Sequence, residues 1–274
     1  MLNIIRNKDN KIHKFMGDKM KKYKARNGQM VGFEHVPKWI RVLFDNRFIA
    51  DSKKAKLFLP GAVPYYYFSK QDVEMDMLKT TNKSKESKLL GEAVIYDIKS
   101  GEKIAKEAAW NYPEPVSDDL DISDYISFDW QQMDGWFEEA EEIFVHPHNP
   151  YHRIDILQST RHVKVVIMDE VIAETNAPVL LFETGLPTRY YFPKLDVRSK
   201  YLQKSKLKTG CAYKGWASYY TVKIGNQEAK NVCWHYDFPA SEMSKIATLI
   251  AFFNERVDIY VDGLLQEKPR TLWS

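Results

Sequence analysis

The sequence contains few cysteines and no long apolar stretch, and both features restrict the class of protein. Two cysteines among 274 residues cannot build the disulfide framework of a small secreted domain, so a reducing compartment is expected. The longest apolar stretch, residues 246–253, is interrupted by Thr248 and falls far short of the roughly 18 residues of a membrane span. The first residues also lack the apolar core of a signal peptide. We therefore expect a soluble, cytoplasmic protein without a membrane partner.

Several motifs that identify common enzymes and metal proteins are missing. There is no GxGxxG, P-loop, GxSxG, HExxH or CxxC sequence, so dinucleotide-binding folds, serine hydrolases and the usual zinc sites lack their signatures. His146 and His148 flank one proline and offer two metal ligands without a companion motif. We therefore expect neither a metal nor a cofactor.

The charge is nearly balanced overall but unevenly distributed. Forty Lys and Arg against 37 Asp and Glu give a net charge of +3, and nine of the basic residues lie within residues 1–30. Such an arm suits nucleic acid or an anionic membrane, but a run of charge is more often a solvated extension. We interpret residues 1–38 as a basic N-terminal extension and do not expect nucleic acid to be the main partner.

The second half of the chain repeats the first. Residues 58–128 align without a gap over residues 182–252 at a shift of 124, and 23 of the 71 aligned positions are identical. Upstream, residues 42–52 match residues 165–175 at a shift of 123, so one residue differs in the turn that follows. Self-similarity at a fixed spacing indicates duplicated units. We predict a first, degenerate copy at 39–142, a linker at 143–161 and a second copy at 162–274.

Short strands separated by turn signals dominate each predicted copy. Aromatic residues make up 14% of the chain and favour strands. In the second copy we predict strands at 163–168, 171–174, 178–183, 189–192, 215–223, 232–236 and 257–261. Apolar residues at helical spacing predict a helix at 241–252, and a further helix at 130–142 between the copies. The expected fold class is mainly β (α+β): two tandem copies of a small domain, each with one C-terminal helix.

Copy two carries reactive side chains where copy one carries apolar ones. The hairpin loop at 184–188 predicts Glu183 directly opposite Arg189, whereas the aligned residues of copy one are Leu59 and Tyr65. The pair is either part of a site or a plain cross-strand salt bridge. This asymmetry indicates a site in copy two, possessed by that copy alone.

Two more positions differ in the same way. Cys211 and Lys214 align with Ser87 and Leu90, although a buried thiol and a solvated lysine are the alternatives. Alternation along the strands predicts one face with Arg189 and another with Lys214. The first face would add Tyr191, and the second would add Trp216, Ser218 and Tyr220. Converging faces would form an aromatic-walled pocket for an anionic or carbonyl-bearing molecule.

These motifs resemble those of the family catalogued as domain of unknown function 427. The resemblance rests on ETGLPTRYYFPKLDV at 183–197, CAYKGWASY at 211–219, and Trp234, Tyr236 and Pro239. The segments FDWQQMDGWFEE at 128–139 and VHPHNPYHRIDIL at 145–157 resemble the tandem, two-copy branch of that family. The resemblance covers about residues 40–274.

The resemblance implies a β-tent (Mss4-like) fold and a set of site positions. Many β-tent proteins hold a zinc on two CxxC pairs, which this chain lacks, so that zinc is not expected here. The family positions suggest catalytic roles for Glu183, Arg189, Tyr191, Lys214 and Cys211. Substrate-binding roles are expected for Asp196, Trp216, Tyr219, Tyr151, Arg153, His146 and His162.

The predicted function is a small-molecule enzyme of specialised metabolism that uses acid–base chemistry in a pocket of the second copy and the cleft between the copies. In it Arg189 and Lys214 would hold an anionic or carbonyl group, while Glu183 or Tyr191 would move the proton. Hydrolase, isomerase, cyclase and lyase chemistry all remain open. The alternatives are a non-catalytic binding or sensing protein that uses the same pocket, and an interaction scaffold recruited through residues 1–30.

Overall fold

The computed structural model describes residues 21–272 and 274, which form two mainly β copies of one domain. Residues 1–20 of the predicted basic extension lie outside the described residues. In the first copy the strands are β1 (Lys22–Lys24), β2 (Met30–His35), β3 (Ile40–Phe44), β4 (Arg47–Ser52), β5 (Lys56–Leu59), β6 (Tyr65–Ser69), β7 (Leu78–Ser87), β8 (Gly91–Ser100), β9 (Lys103–Asn111), β10 (Tyr125–Phe128), β11 (Gly135–Glu138) and β12 (Glu141–Ile143).

The second copy has the corresponding strands. They are β13 (Ile154–Gln158), β14 (Val163–Ile167), β15 (Glu170–Thr175), β16 (Val179–Glu183), β17 (Arg189–Phe192), β18 (Leu202–Cys211), β19 (Gly215–Ile224), β20 (Gln227–His235), β21 (Ile250–Phe252), β22 (Asp258–Val261) and β23 (Leu264–Leu265). Short 3-10 helices occur at Lys70–Asp72, Met75–Met77, Trp130–Gln132, Lys194–Asp196, Ser199–Tyr201 and Ser241–Ile246.

Each copy packs a large antiparallel sheet against a small one. In copy one the large sheet runs β1-β2-β5-β6-β10-β9-β8-β7, and the small sheet runs β12-β11-β3-β4. In copy two the orders are β13-β16-β17-β21-β20-β19-β18 and β15-β14-β22-β23. The inner strands recur in the same order, so the mainly β class and the tandem arrangement are confirmed.

Equivalent turns bend the chain in the same way in both copies. The turn between β3 and β4 has φ values of +51° and +57° at Asp45 and Asn46, and Met168 and Asp169 have +52° and +62° in copy two. Positive φ at both turn residues is the requirement of a tight type I′ hairpin, whose twist matches that of the strands. The strands predicted at 163–168 and 171–174 do form a tight hairpin, but its turn lies at Met168 and Asp169, one residue earlier than those bounds place it.

The two faces of each large sheet have different partners. In copy two, Tyr190 and Phe192 pack towards the small sheet with Val165 and Ile259. Tyr191, which alternates with them, belongs to a second cluster on the opposite face. That outer face carries the candidate site described below.

The two predicted helices are wrong. Residues 241–252 begin with a 3-10 helix that ends at Ile246. Thr248 then adopts a positive φ of +62°, and strand β21 follows. Strand β21 lies between β17 and β20 and is buried on both faces, so its continuous apolar run cannot be told from a buried helix. Residues 130–142 likewise form the 3-10 helix Trp130–Gln132 and strands β11 and β12.

Two predicted boundaries fall inside sheets. Strand β2, which lies in the segment interpreted as an extension, pairs with β5 of copy one. Strand β13, which lies in the segment interpreted as a linker, pairs with β16 of copy two. Copy one therefore includes two strands, β1 and β2, that precede its predicted boundary, and copy two includes one, β13.

Candidate functional site

A cavity of about 760 Å³ opens on the outer face of the large sheet of copy two. The strands β16 to β20 contribute to its wall, together with the segment before β13 and the segment after β21. Its aromatic lining consists of Tyr191, Tyr219, Trp234, Tyr236 and Phe253. Its polar lining includes Glu183, Arg189, Cys211, Lys214, His146, Lys230, Asn231 and Arg256.

Glu183 and Lys214 form a buried ion pair in the cavity wall. The Lys214 Nζ lies 2.6 Å from each carboxylate oxygen of Glu183, and the two side chains are 12% and 7% exposed. The Nε2 of His152 lies 3.0 Å from Oε1 of the same carboxylate. The carboxylate of Glu183 is thus held between two nitrogen groups with little access to water, an arrangement suited to proton transfer.

Lys214 owes its position to a turn rather than to a strand. It precedes Gly215, which has a φ of +91°, a conformation that residues with a Cβ rarely adopt. The backbone of Ala240 donates to the Lys214 carbonyl at 3.2 Å, and this bond fixes the turn. The side chain therefore reaches the cavity independently of the alternation along β19.

Aromatic stacking holds the segment before β13 against this turn. The ring of Tyr213 stacks on His152 at 4.4 Å and on His148 at 4.8 Å between centroids. The Tyr213 hydroxyl accepts from the backbone N–H of Asn149 at 2.8 Å. This packing orients His152 toward Glu183. Burial, with the nearby His148 and His152, holds the pKa of His146 below its ordinary value.

Arg189 is committed to a carboxylate of its own. Its two terminal nitrogens lie 2.7 Å from the two oxygens of Glu255, and Asn254 accepts a further bond at 3.2 Å. Burial acts to raise the pKa of the Glu255 carboxyl, but hydrogen bonds from Arg189 and Thr271 outweigh it and hold that pKa below its ordinary value. The guanidinium borders the cavity with its charge already balanced.

Tyr191 can serve as a hydrogen-bond donor at this site. Its side chain is buried, and Trp234 Nε1 lies 3.4 Å from its hydroxyl. Burial raises the pKa of Tyr191 well above its ordinary value, so the hydroxyl keeps its proton at neutral pH. The neighbouring hydroxyls of Thr209 and Tyr219 form a 2.7 Å hydrogen bond at the cavity wall.

The structure brings seven of the predicted residues to one cavity. They are Glu183, Arg189, Tyr191, Cys211, Lys214, Tyr219 and His146. The other thiol, Cys233, lies in the core on the opposite face of the sheet, where burial raises its pKa. Both cysteines are free.

Five predicted binding residues lie outside the residues that line this cavity. Asp196 accepts from the Thr175 hydroxyl at 2.6 Å, an arrangement repeated by Ser52 and Asp72 in copy one. Trp216 is 57% exposed on the other side of β19 from Tyr219. The remaining three contact carboxylates outside the cavity. The Tyr151 hydroxyl donates to Glu34, and Arg153 and His162 pair with Asp155 and Glu174.

Two predicted arrangements are wrong. The ladder between β16 and β17 places Leu181, not Glu183, opposite Arg189. Glu183 instead lies opposite Ile154 of β13. The face predicted for Lys214 is also wrong, because Tyr219 lines the cavity whereas Tyr220 packs in the core towards the small sheet.

The matching region of copy one is filled with apolar side chains. Leu90, at the position of Lys214, is buried in a cluster with Tyr67, Ile95 and Tyr112. Val31 and Phe33 of β2 complete that cluster. Copy one therefore uses as core the face that copy two opens as a cavity.

Sequence reasoning missed the residues that hold the predicted ones in place. His152, Tyr213, Asn254 and Glu255 each contact a predicted site residue or its immediate support. His152 lies in a histidine-rich segment, which was a usable signal. Glu255 had none, because it follows β21 in a segment without any recognisable motif.

Among residues 21–272 and 274, no group of three or more His, Cys, Asp or Glu side chains is arranged to hold a metal ion. In the same part of the chain, no helix has the length and apolar character needed to cross a membrane.

Comparison with protein families identifies the family of the chain. The family model described as domain of unknown function (DUF427) matches the chain twice, at residues 32–139 and 155–263. No curated protein matches the chain significantly. The two matched segments begin in β2 and β13, in agreement with the sheets. The chain belongs to the DUF427 family and contains two tandem copies of its domain.

Proposed function

We propose that copy two is an enzyme that binds a small anionic or carbonyl-bearing molecule and transfers protons on it. The observation that carries this proposal is the buried Glu183–Lys214 pair, supported by His152, in the wall of an aromatic cavity. A purely structural role would not require a charged pair here, since copy one forms the same face with Leu90.

Each polar group has a role that follows from its surroundings. Glu183, flanked by Lys214 and His152, would accept a proton from a C–H or O–H bond of the substrate. The ammonium of Lys214 would then stabilise the negative charge that develops on a substrate oxygen. The hydroxyl of Tyr191, which keeps its proton, would donate a hydrogen bond to the same region. Arg189, already paired with Glu255, would shape the wall rather than grip the substrate.

The compartment and the reaction class are part of the proposal. The free thiols Cys211 and Cys233 favour the reducing cytoplasm. A buried carboxylate beside an ammonium group can catalyse hydrolysis, isomerisation, cyclisation or elimination, and we place the reaction in specialised metabolism. The alternative is a non-catalytic binding protein, which the already paired charges of the cavity wall also suit.

The test uses the full chain and a fractionated metabolite extract in deuterated water, followed by mass spectrometry. The wild-type protein should consume a component or introduce deuterium into it. Glu183→Gln should slow this turnover by about 100-fold or more, the usual contribution of a general base. The matched control is Glu174→Gln, since Glu174 also pairs with a histidine, His162 at 2.9 Å, but outside the cavity.

The outcomes separate the two hypotheses. Unchanged turnover in Glu183→Gln would remove that residue from the reaction. Retention of a molecule in native mass spectrometry without any turnover would favour the binding protein. If the protein shows no turnover and retains no molecule, both hypotheses are contradicted.

A further inference from the structure

Among the described residues, two cations of the cavity have no carboxylate partner of their own. Arg189 is paired with Glu255 and Lys214 with Glu183. Lys230 and Arg256 also line the cavity and are exposed at its mouth. Among residues 21–272 and 274, no carboxylate oxygen lies within 4.0 Å of the charged nitrogens of Lys230 or Arg256.

The guanidinium of Arg256 is held in place by neutral groups. It donates to the backbone carbonyl of Lys230 at 2.7 Å and to that of Asn231 at 3.3 Å. It also lies 5.8 Å from the ring centroid of Phe253, which lines the cavity. These contacts orient the group without neutralising its charge, so the charge remains available to a ligand.

Copy one has two acidic groups at positions where copy two has neutral ones, and one of these positions, Asn231, lines the cavity. Asn231 sits at a bulge of β20 with a φ of +50°, and Glu107 sits at the same bulge of β9 with +56°. The Asn231 N–H donates to Thr221, whereas the Glu107 N–H donates to Asp97. Both copies therefore keep the backbone geometry of the bulge, whereas copy two has Asn231 and Thr221 in place of the carboxylates Glu107 and Asp97.

The body of the cavity is aromatic. The rings of Trp234 and Phe253 lie 4.6 Å apart, and those of Tyr219 and Phe253 are nearly parallel, at 10° and 6.4 Å between centroids. Flat aromatic walls favour a flat apolar body, which stacks on them with little entropic cost. A cationic mouth and an aromatic interior together describe the two ends of one ligand.

We propose that Lys230 and Arg256 bind the anionic group of the substrate, and that this substrate has a flat apolar body with one carboxylate, sulfonate or phosphate. The inference rests on the proposed function in taking the cavity as the substrate site. It goes further in naming the substrate class and in moving the anion from Arg189 to the mouth. The body then extends towards Glu183 and Lys214, where the proton transfer occurs.

The test compares two fluorescent probes that share one skeleton. Anilinonaphthalene sulfonate carries the anion, and N-phenylnaphthylamine lacks it. The full-length wild type should bind the sulfonate more tightly. Lys230→Met and Arg256→Met should each weaken sulfonate binding about fivefold, or about 1 kcal/mol for a partly exposed charge pair. Neither substitution should change binding of the neutral probe.

Controls distinguish charge from structure. Lys206→Met removes an exposed cation of β18 that does not line the cavity and should leave both affinities unchanged. Arg256→Lys keeps the charge without the two-pronged geometry and should recover part of the loss. Circular dichroism of each variant should match that of the wild type.

Three results would overturn the inference: equal affinity for the two probes, equal weakening of both by the substitutions, or no binding of the sulfonate. These measurements need no turnover. A protein that binds the sulfonate at Lys230 and Arg256 but turns nothing over would keep this inference and reject the proposed function. Turnover that depends on Glu183, together with equal affinity for the two probes, would support the proposed function and reject this inference.

Discussion

The Arg189 guanidinium and the Glu255 carboxylate form a two-pronged ion pair behind the cavity, with both N–O distances at 2.7 Å. The side chains are only 7% and 0% exposed. Thr271 and Asn254 supply further hydrogen bonds, so the buried charges are well matched. This pair, which joins β17 to the segment after β21, fixes one wall of the site.

We predict that Glu255→Gln destabilises the protein by about 3 kcal/mol, because the substitution leaves the buried Arg189 charge without this carboxylate. The free energy of unfolding from urea titration measures the change. Adding Arg189→Met should recover part of the loss, since it removes the uncompensated charge. A double variant as unstable as the sum of the single variants would show that the two residues do not act as a pair.

The local features of the fold could be predicted from the sequence. Strand β17 is predicted at its observed residues 189–192, because alternation and turn residues act over a few positions. Strand β21 could not be recognised, since its three buried residues show no alternation. Strand β18, mostly polar, has exposed residues along much of its length and was missed for the opposite reason.

Alignment of the two copies predicts the location of the site correctly but does not match all of the equivalent residues. Lys214 and Leu90 do occupy equivalent positions, each before a glycine of positive φ, at +91° and +94°. Glu183 and Leu59 do not, because the ladders align Leu181 with Phe58. The extra residue of copy two thus lies in the loop after β16 rather than before it.

The partners of the site residues are distant in sequence. His152 lies 31 residues before Glu183, and Glu255 lies 66 residues after Arg189. Pairing at these separations depends on how the sheet stacks its strands, which periodicity does not encode.

We predict that Asp196→Asn lowers the free energy of unfolding by about 1 kcal/mol, the usual contribution of one hydrogen bond. The carboxylate accepts from the Thr175 hydroxyl at 2.6 Å, away from the cavity. Affinity for anilinonaphthalene sulfonate should stay the same, and Asp72→Asn should have a similar cost in copy one. A change in affinity for the probe would show that Asp196 contributes to ligand binding.

We predict that stability decreases as the pH falls below about 6.5, in part through His235. Burial lowers the pKa of His235 below its ordinary value of 6.5, and Lys194 and Lys204 add to this, although Asp237 opposes it. The unfolded chain therefore binds a proton at His235 more readily than the folded chain does. The contribution of neutral His235 to the free energy of unfolding is complete above pH 6.5 and is lost as the pH falls below it. Thermal melts of wild type and His235→Gln test this, and the variant should lose less stability. Equal losses would mean that His235 does not contribute.

The Glu183–Lys214 pair allows folding to be separated from function. Glu183→Leu should cost about 3 kcal/mol in the free energy of unfolding, since it leaves the buried Lys214 charge without its carboxylate. Lys214→Leu should cost less, since Glu183 keeps its contact with His152 at 3.0 Å. The double variant should be within about 1 kcal/mol of the wild type, because apolar residues replace buried ion pairs without penalty when both charges are removed. Copy one already tolerates Leu90 at one of these positions. A stable double variant that has lost turnover would assign the pair to chemistry, whereas a double variant that unfolds would assign it to the fold.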